Sequence, residues 1–456
     1  MATEDNEQTE ERLARARKPA EDAIRMHAQY RGKIETVLKC PVRSMDDFSV
    51  WYSPGVAAPC LAIQKEPDLV YDYTWKWNTV AVISDGSRVL GLGDIGPKAG
   101  LPVMEGKSLL YRYLGAVDSV PIMLDTKDPD EIIRTVLLLQ PSFGGINLED
   151  LSQPKCFRIL ETLREQAEIP VWHDDQQGTA TVTLAGLLNA LKLTGREIGN
   201  ASITFVGVGA ANVACARLIF ARGADPARCR MVDSRGVLGM FRQDIEQRRH
   251  EFPEKWNLCR ITNSEQRQGG IEEALRDADV VISLAQPGPG TIQPEWIRGM
   301  RPDPIVFACA NPVPEIWPWE ATEAGAAVVA TGRSDFPNQV NNSLCFPGIF
   351  RGALDVRART ITDEMCFAAA DALCAAAAEN PSTPFDSGHI LPSMEAWEIF
   401  PTVAAAVGTK AIEQGVARLA SDYSALYRNA YAMIRRSREL TRMMMDSGFI
   451  EPEGGR

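Results

Sequence analysis

Histidine is scarce in this chain, with four in 456 residues. That leaves little material for a zinc site, which is usually built from His and Cys. Ten cysteines are present, yet none falls in a C-x-x-C pair, and Cys215, Cys309, Cys345 and Cys374 lie in apolar stretches. Buried, reduced thiols are therefore expected in place of disulfides. Long apolar runs are missing too: none approaches the roughly 18 residues that a membrane-crossing helix needs. The opening stretch, Met1 to Pro19, is polar and charged, without the apolar core of a secretory signal. Positive charge is in deficit, 48 Lys and Arg against 60 Asp and Glu, for a formal net charge of −12. That balance argues against a nucleic-acid partner. Any anionic ligand must be held by local cations and backbone N–H groups, against the overall field. Together these absences describe a cytoplasmic protein with neither membrane nor nucleic-acid partners.

What is present is an ordinary globular balance, 45% hydrophobic and 24% charged residues, in a chain long enough for two or three domains. Residues 1–20 read as a tail. Through 21–178, strands (80–84, 119–124) alternate with helices (105–114, 130–139), the second helix opened by Asp128-Pro129. A long apolar helix at 179–193, stopped by Gly195, bridges into a second domain, 179–360. There, strands at 202–206, 229–232, 280–284, 305–308 and 327–330 alternate with helices, the pattern of a doubly wound parallel sheet of Rossmann type. Residues 361–456 turn Ala-rich and helical, with helices at 371–379 and 404–420 expected to pack back on the first domain. The fold class is α/β: a smaller N-terminal α/β domain, a Rossmann-type domain and C-terminal helices.

Gly207-Val208-Gly209-Ala210-Ala211 follows a strand and opens a helix, the context in which a glycine-rich turn binds a dinucleotide. Gly207 permits the tight turn, and Gly209 lets the backbone approach a pyrophosphate seated on the helix N-terminus. Asn212 stands where the fingerprint has Gly or Ala, a departure that bears on helix–strand packing and cofactor affinity. Asp233 closes the next strand, where a carboxylate binds the ribose hydroxyls and repels a 2′-phosphate. Arg235 is placed to grip that phosphate. The cofactor is accordingly NAD or NADP, with both expected to work. Asn311 follows the strand at 305–308, beyond its carboxyl end, where it either hydrogen-bonds nicotinamide or substrate carboxylate or caps a turn.

Two acid pairs, Glu149-Asp150 and Asp174-Asp175, each end an apolar segment. Charges just past buried strands need partners. A divalent cation satisfies several carboxylates at once, and all-oxygen ligation implies Mg²⁺ or Mn²⁺. Solvated loop caps and helix N-terminal charges are the alternative. His173 beside the second pair reads as structural. Tyr52 and Lys107 add a phenol and an amine, and a partly desolvated Lys near a metal is a candidate base.

Several long motifs occur in one order: Tyr52 to Ala57, Ser84 to Gly96, Glu105-Gly106-Lys107, Gly145 to Asp150, His173 to Ala180, and Thr331 to Asn342. Together they resemble the malic enzyme family in its shorter bacterial and archaeal form, from about Tyr30 to about Asp371. The resemblance implies oxidative decarboxylation of malate to pyruvate and CO₂, coupled to NAD or NADP and dependent on Mg²⁺ or Mn²⁺. It implies Tyr52 as the acid that protonates carbon and Lys107 as the base at the hydroxyl, with Asp174 tuning it. Glu149, Asp150 and Asp175 would hold the metal, and Asn311 and Asn342 would contact substrate and nicotinamide. Arg88 matches a carboxylate-binding Arg of longer eukaryotic members, while Gln177 stands where many relatives carry His. A homo-oligomer, a dimer or larger, is implied as well. Two rival readings stand beside this one: a malolactic conversion that recycles the cofactor, and a metal-free amino-acid dehydrogenase of similar build. A non-catalytic NAD-binding protein would leave Tyr52, Lys107 and the acid pairs without a reason to coexist.

Overall fold

A computed structural model describes residues 22–380 and 382–453; the tail expected at 1–20 lies outside the described residues. Two sheets organise the chain. The first has four parallel strands, β1 (Thr79–Ser84), β2 (Asp118–Met123), β3 (Gly145–Leu148) and β4 (Val171–His173), in the order β2-β1-β3-β4. β1 is Thr-Val-Ala-Val-Ile-Ser, mostly β-branched and buried throughout, as a parallel strand covered on both faces should be. It is crossed over to β2 by α1 (Gly96–Gly115). That helix starts well ahead of the expected 105, because Pro102 sits inside it without ending it. A proline removes one backbone bond and crowds the preceding turn, which packing can override. The next helices, α2 (Pro129–Leu139) and α3 (Lys155–Gln166), complete this layer, and α4 (Thr179–Leu193) leads onward.

The second sheet contains β5 (Ile203–Val206), β6 (Arg230–Asp233), β7 (Gly236–Val237), β8 (Val280–Ser283), β9 (Ile305–Ala308) and β10 (Val328–Thr331). Its order is β10-β9-β8-β5-β6-β7. The chain reverses direction across the sheet between β5 and β8, and such switch points are where α/β sheets bind ligands. All neighbours are parallel except β7, which turns back antiparallel on β6 and corrects the all-parallel expectation. Helix α5 (Ala210–Ala221) follows β5.

The remaining helices are α6 (Phe346–Asp355), α7 (Asp363–Ala378), α8 (Ile399–Glu413) and α9 (Tyr423–Asp446). α7 begins earlier than the expected 371, where the Thr362 hydroxyl caps it by accepting from the Met365 amide. α8 ends at Glu413 and not at 420, since Gly415 takes a left-handed φ of 69° that stops it. α9 returns to the first sheet's layer: the Ser437 hydroxyl donates to the Arg112 carbonyl of α1 at 2.8 Å, and Arg438 lies 4.3 Å over the Tyr113 ring. Among the described residues no helix is long and apolar enough to cross a membrane.

The join between these helices and the first sheet rests on a buried arginine. Arg351 of α6 is fully buried, bonds the Asn78 side chain ahead of β1, and meets Asp355 at 3.0 Å through Nε and 2.7 Å through Nη2. Removing one partner strands the other charge in the interior, which costs about 3–5 kcal/mol. Arg351→Met should therefore lower unfolding stability by that amount in denaturant titration. Asp355→Asn in the same chain should recover part of the loss.

Candidate active site

β3 and β4 are parallel neighbours with Leu148 opposite His173. The residues that follow them, Glu149-Asp150 and Asp174-Asp175, therefore emerge side by side at one sheet edge. β4 runs directly into a π-helical turn, Asp174–Gly178, before α4 begins. Such wide turns gather at functional sites. Alternation along the strands places Asn147 on the face of Glu149 and Trp172 on the face of Asp174. The Asn147 amide donates to Glu149 Oε2 at 2.7 Å, and the Trp172 indole donates to Asp174 Oδ1 at 3.0 Å. Behind them the Tyr111 hydroxyl donates to Asn147 Oδ1 at 2.9 Å.

α1 brings Lys107 to this edge. Its Nζ stands 2.5 Å from Asp174 Oδ2, 3.0 Å from Glu149 Oε1 and 4.4 Å over the Phe346 ring. Burial works to lower the lysine's pKa, but the Asp174 and Glu149 charges outweigh it and hold the ammonium well above its ordinary range. In this arrangement Lys107 is therefore a charged partner and not the depressed base that the sequence suggested. The carboxylates respond in the opposite sense. Burial, with Asp175, Asp174 and Asp150 nearby, raises Glu149 well above the usual range against the pull of Lys107. Burial and the Asp175 charge push Asp150 up to about 8. Asp150 Oδ2 is buried without a hydrogen-bond partner, whereas Asp175 Oδ2 accepts from the Asp150 amide at 2.7 Å. Among the described residues, no group of three or more His, Cys, Asp or Glu side chains is drawn together tightly enough to hold a metal ion as it stands.

His173 is fully buried, and burial lowers its pKa, so it stays neutral, in keeping with a structural role. Gln177 accepts from the His173 amide at 3.0 Å and so ties the end of β4. Gly178 has no room for a side chain: a Cβ there would sit 2.0 Å from Asp174 Oδ1 and 3.1 Å from the Asn342 Cβ. That contact also puts Asn342 beside the acids. Arg88 joins through its backbone, donating to the Asp150 carbonyl at 3.0 Å, and its charge is one of those that lower Asp150. Asn311 is exposed at a cis bond to Pro312, close to both Gly91 and Gly332. Tyr52 is not brought in: it follows the short helix Asp47–Trp51 and is 73% exposed.

Across the cleft, Gly207 has a φ of 92°, and a Cβ on it would meet the Leu284 carbonyl at 2.8 Å, so the turn requires glycine. Gly209 precedes α5, and nothing lies within 4 Å of where its Cβ would be, leaving space over Val208, Ala210 and Ala211. Asn212 does not loosen this loop. Its buried amide donates to the carbonyls of Val206 at 2.8 Å and Gly207 at 2.9 Å, stapling strand end to turn. Asp233 is spoken for by two cations that the sequence reading missed: Arg242, bidentate at 2.9 Å, and Lys255 at 2.5 Å. Despite burial they hold its pKa below the ordinary value. Arg235, two-thirds exposed, reaches Asp244 at 3.1 Å. Glu315, also missed, is fully buried and pins both loops beyond β8 and β9. It accepts from the Ser283 hydroxyl at 2.7 Å, the Ala285 amide at 2.9 Å and the Ala310 amide at 3.0 Å.

Two family models match the chain: malic enzyme, N-terminal domain, over residues 31–164, and malic enzyme, NAD binding domain, over residues 176–412. The chain is 46% identical to the bifunctional malic/malolactic enzyme of Bacillus subtilis, over 88% of this chain and 95% of that one. It is 47% identical to the NAD-dependent malic enzyme of Geobacillus stearothermophilus, over 85% and 78%. A relative from Halomonas elongata at 43% identity, over 85% and 92%, is named NADP-dependent. The crystal structure of Entamoeba histolytica malic enzyme superposes with a TM-score of 0.93 at 48% identity, covering 97% of this chain and 92% of that one. With both halves matched and the acid-rich sheet edge facing a dinucleotide turn, the chain belongs to the malic enzyme family.

Proposed function

We propose that this protein oxidatively decarboxylates L-malate to pyruvate and CO₂, reducing NAD or NADP with the help of Mg²⁺ or Mn²⁺. The observation that carries the reading is the single buried Lys107 set among Glu149, Asp150, Asp174 and Asp175, a site short of positive charge. The unpartnered Asp150 Oδ2 and the raised pKa values of Glu149 and Asp150 fit a divalent cation held by Glu149, Asp150 and Asp175. Such a cation would supply Lewis-acid stabilisation of charge on oxygen as CO₂ leaves, and the nicotinamide would supply the hydride acceptor. Lys107 takes the proton of the C2 hydroxyl. Burial favours its neutral amine and the carboxylates favour its ammonium, so its affinity for that proton follows how fully their charge is offset. Asp174, fixed by Trp172, holds Nζ in place. Tyr52 returns a proton to carbon. Arg88 and Asn342 hold the substrate's carboxylates, with Asn311 and Asn342 orienting the nicotinamide.

The metal-free amino-acid dehydrogenase loses its ground with both halves matching malic enzyme models. The malolactic reading keeps support from the name of the Bacillus subtilis relative. Product analysis decides: L-malate with NAD or NADP and Mg²⁺ should give pyruvate and reduced nicotinamide in equal amounts. Lactate without net reduction would establish the malolactic reading, and neither product would overturn both.

For the dinucleotide, the neutralised Asp233 weakens the repulsion expected against a 2′-phosphate, and Arg235 lies free enough to swing onto one. Arg235→Ala should lower kcat/KM for NADP selectively, by about tenfold or somewhat more, as loss of one charged hydrogen-bonding partner implies. Equal loss with both cofactors would show that Arg235 does not read the 2′ position.

A further inference from the structure

The stretch between Ile34 and Trp75 is built unlike the rest of the chain. Its two helices, Asp47–Trp51 and Ala57–Lys65, bury no residue. More than half of the exposed large apolar side chains among the described residues lie between Ile24 and Trp75, with Leu38 80% and Met45 77% exposed. Its hydrogen bonds close on themselves: the Trp51 indole donates to the Pro41 carbonyl at 3.1 Å, and Asp47 accepts from the Arg43 amide at 2.6 Å. The arm is tied to the body near its two ends, by Lys33 Nζ donating to the Pro102 carbonyl at 2.8 Å and by the turn Trp75–Asn78 that enters β1. Monomeric proteins rarely leave so large an apolar patch in water.

Tyr52 sits on this arm. A group that protonates carbon must lie against the substrate in a site that excludes water, and on its own chain Tyr52 does neither. A receiving surface exists beside the acids: Leu90 and Leu92, 58% and 69% exposed, ride on the loop whose Arg88 amide donates to the Asp150 carbonyl. The exposed faces of Phe48, Trp51, Tyr52, Tyr73 and Trp75 amount to roughly 500 Å². With the arm's exposed aliphatic residues they reach about the 800 Å² per partner that a stable interface buries. Donor arm and receiving rim on one chain make a self-complementary pair, as a twofold dimer requires.

We propose that two copies of this chain pair by exchanging arms, so that Tyr52 of the partner subunit completes each active site over the Leu90–Leu92 rim. The proposal rests on the reading of Tyr52 as the acid in malate turnover. Its test is complementation between two chains carrying different affinity tags, Tyr52→Phe and Lys107→Ala, co-expressed and purified through both tags. Each variant alone should be inactive. The mixed dimer should contain one intact site, Lys107 from one chain and Tyr52 from the other, and form pyruvate from L-malate at about half the parent rate. A mixed dimer as inactive as its parents overturns the exchange and leaves the malate reading in place. A fully active Tyr52→Phe homodimer overturns it as well, by removing the phenol from the mechanism. An independent readout is the double variant Phe48→Asp, Trp51→Asp. It should sediment as a monomer with unchanged circular dichroism and no malate turnover, and an active monomer contradicts the proposal.

Discussion

Lys107→Ala should lose malate oxidation by about 10²–10⁴-fold, the usual worth of a positioned acid–base group. The substitution removes the cation closest to Glu149 and Asp174, so two buried carboxylates lose their nearest positive partner at once. Dinucleotide binding should be spared, because the Gly207 turn and the Asp233 cluster belong to the other sheet. The measurement is kcat for malate alongside a nicotinamide-nucleotide titration followed by fluorescence. A kcat within a few-fold of the parent would take Lys107 out of the chemistry.

Asp175→Ala should abolish metal-dependent turnover. Its carboxylate currently accepts from the Asp150 amide, and at 34% exposure it is the most open of the four acids, the one an entering cation meets first. Loss of one of three protein ligands should cut both malate oxidation and the decarboxylation of oxaloacetate by about 10²-fold or more, with NAD(P)H binding largely intact. Oxaloacetate decarboxylation at the parent rate with Mg²⁺ or Mn²⁺ would show that Asp175 is not a ligand.

The acid pairs were legible from sequence because each closes an apolar run, and the register of β3 against β4 then sets them side by side. Their supports carried a weaker signal: Asn147 and Trp172 stand two residues before Glu149 and Asp174, on the same face of each strand. Arg242 and Lys255 could not be read, since only tertiary folding carries them to Asp233 from well downstream. Helix α9 escaped notice because it is rich in Arg and buries only Leu426, Ala430, Ile434 and Ser437, a stripe too narrow to stand out in composition. β7 is two residues long, too short for any periodicity. Asn212 looked like a defect in a fingerprint, but hydrogen-bond geometry makes it a staple.

The central claim is that this carboxylate-rich edge works on malate through a divalent cation. Its most direct test is malate-dependent nicotinamide reduction before and after treatment with EDTA, with pyruvate measured in parallel. The account predicts that chelation abolishes both signals and that Mg²⁺ or Mn²⁺ restores them together. Undiminished turnover in enzyme shown by elemental analysis to be metal-free would contradict it.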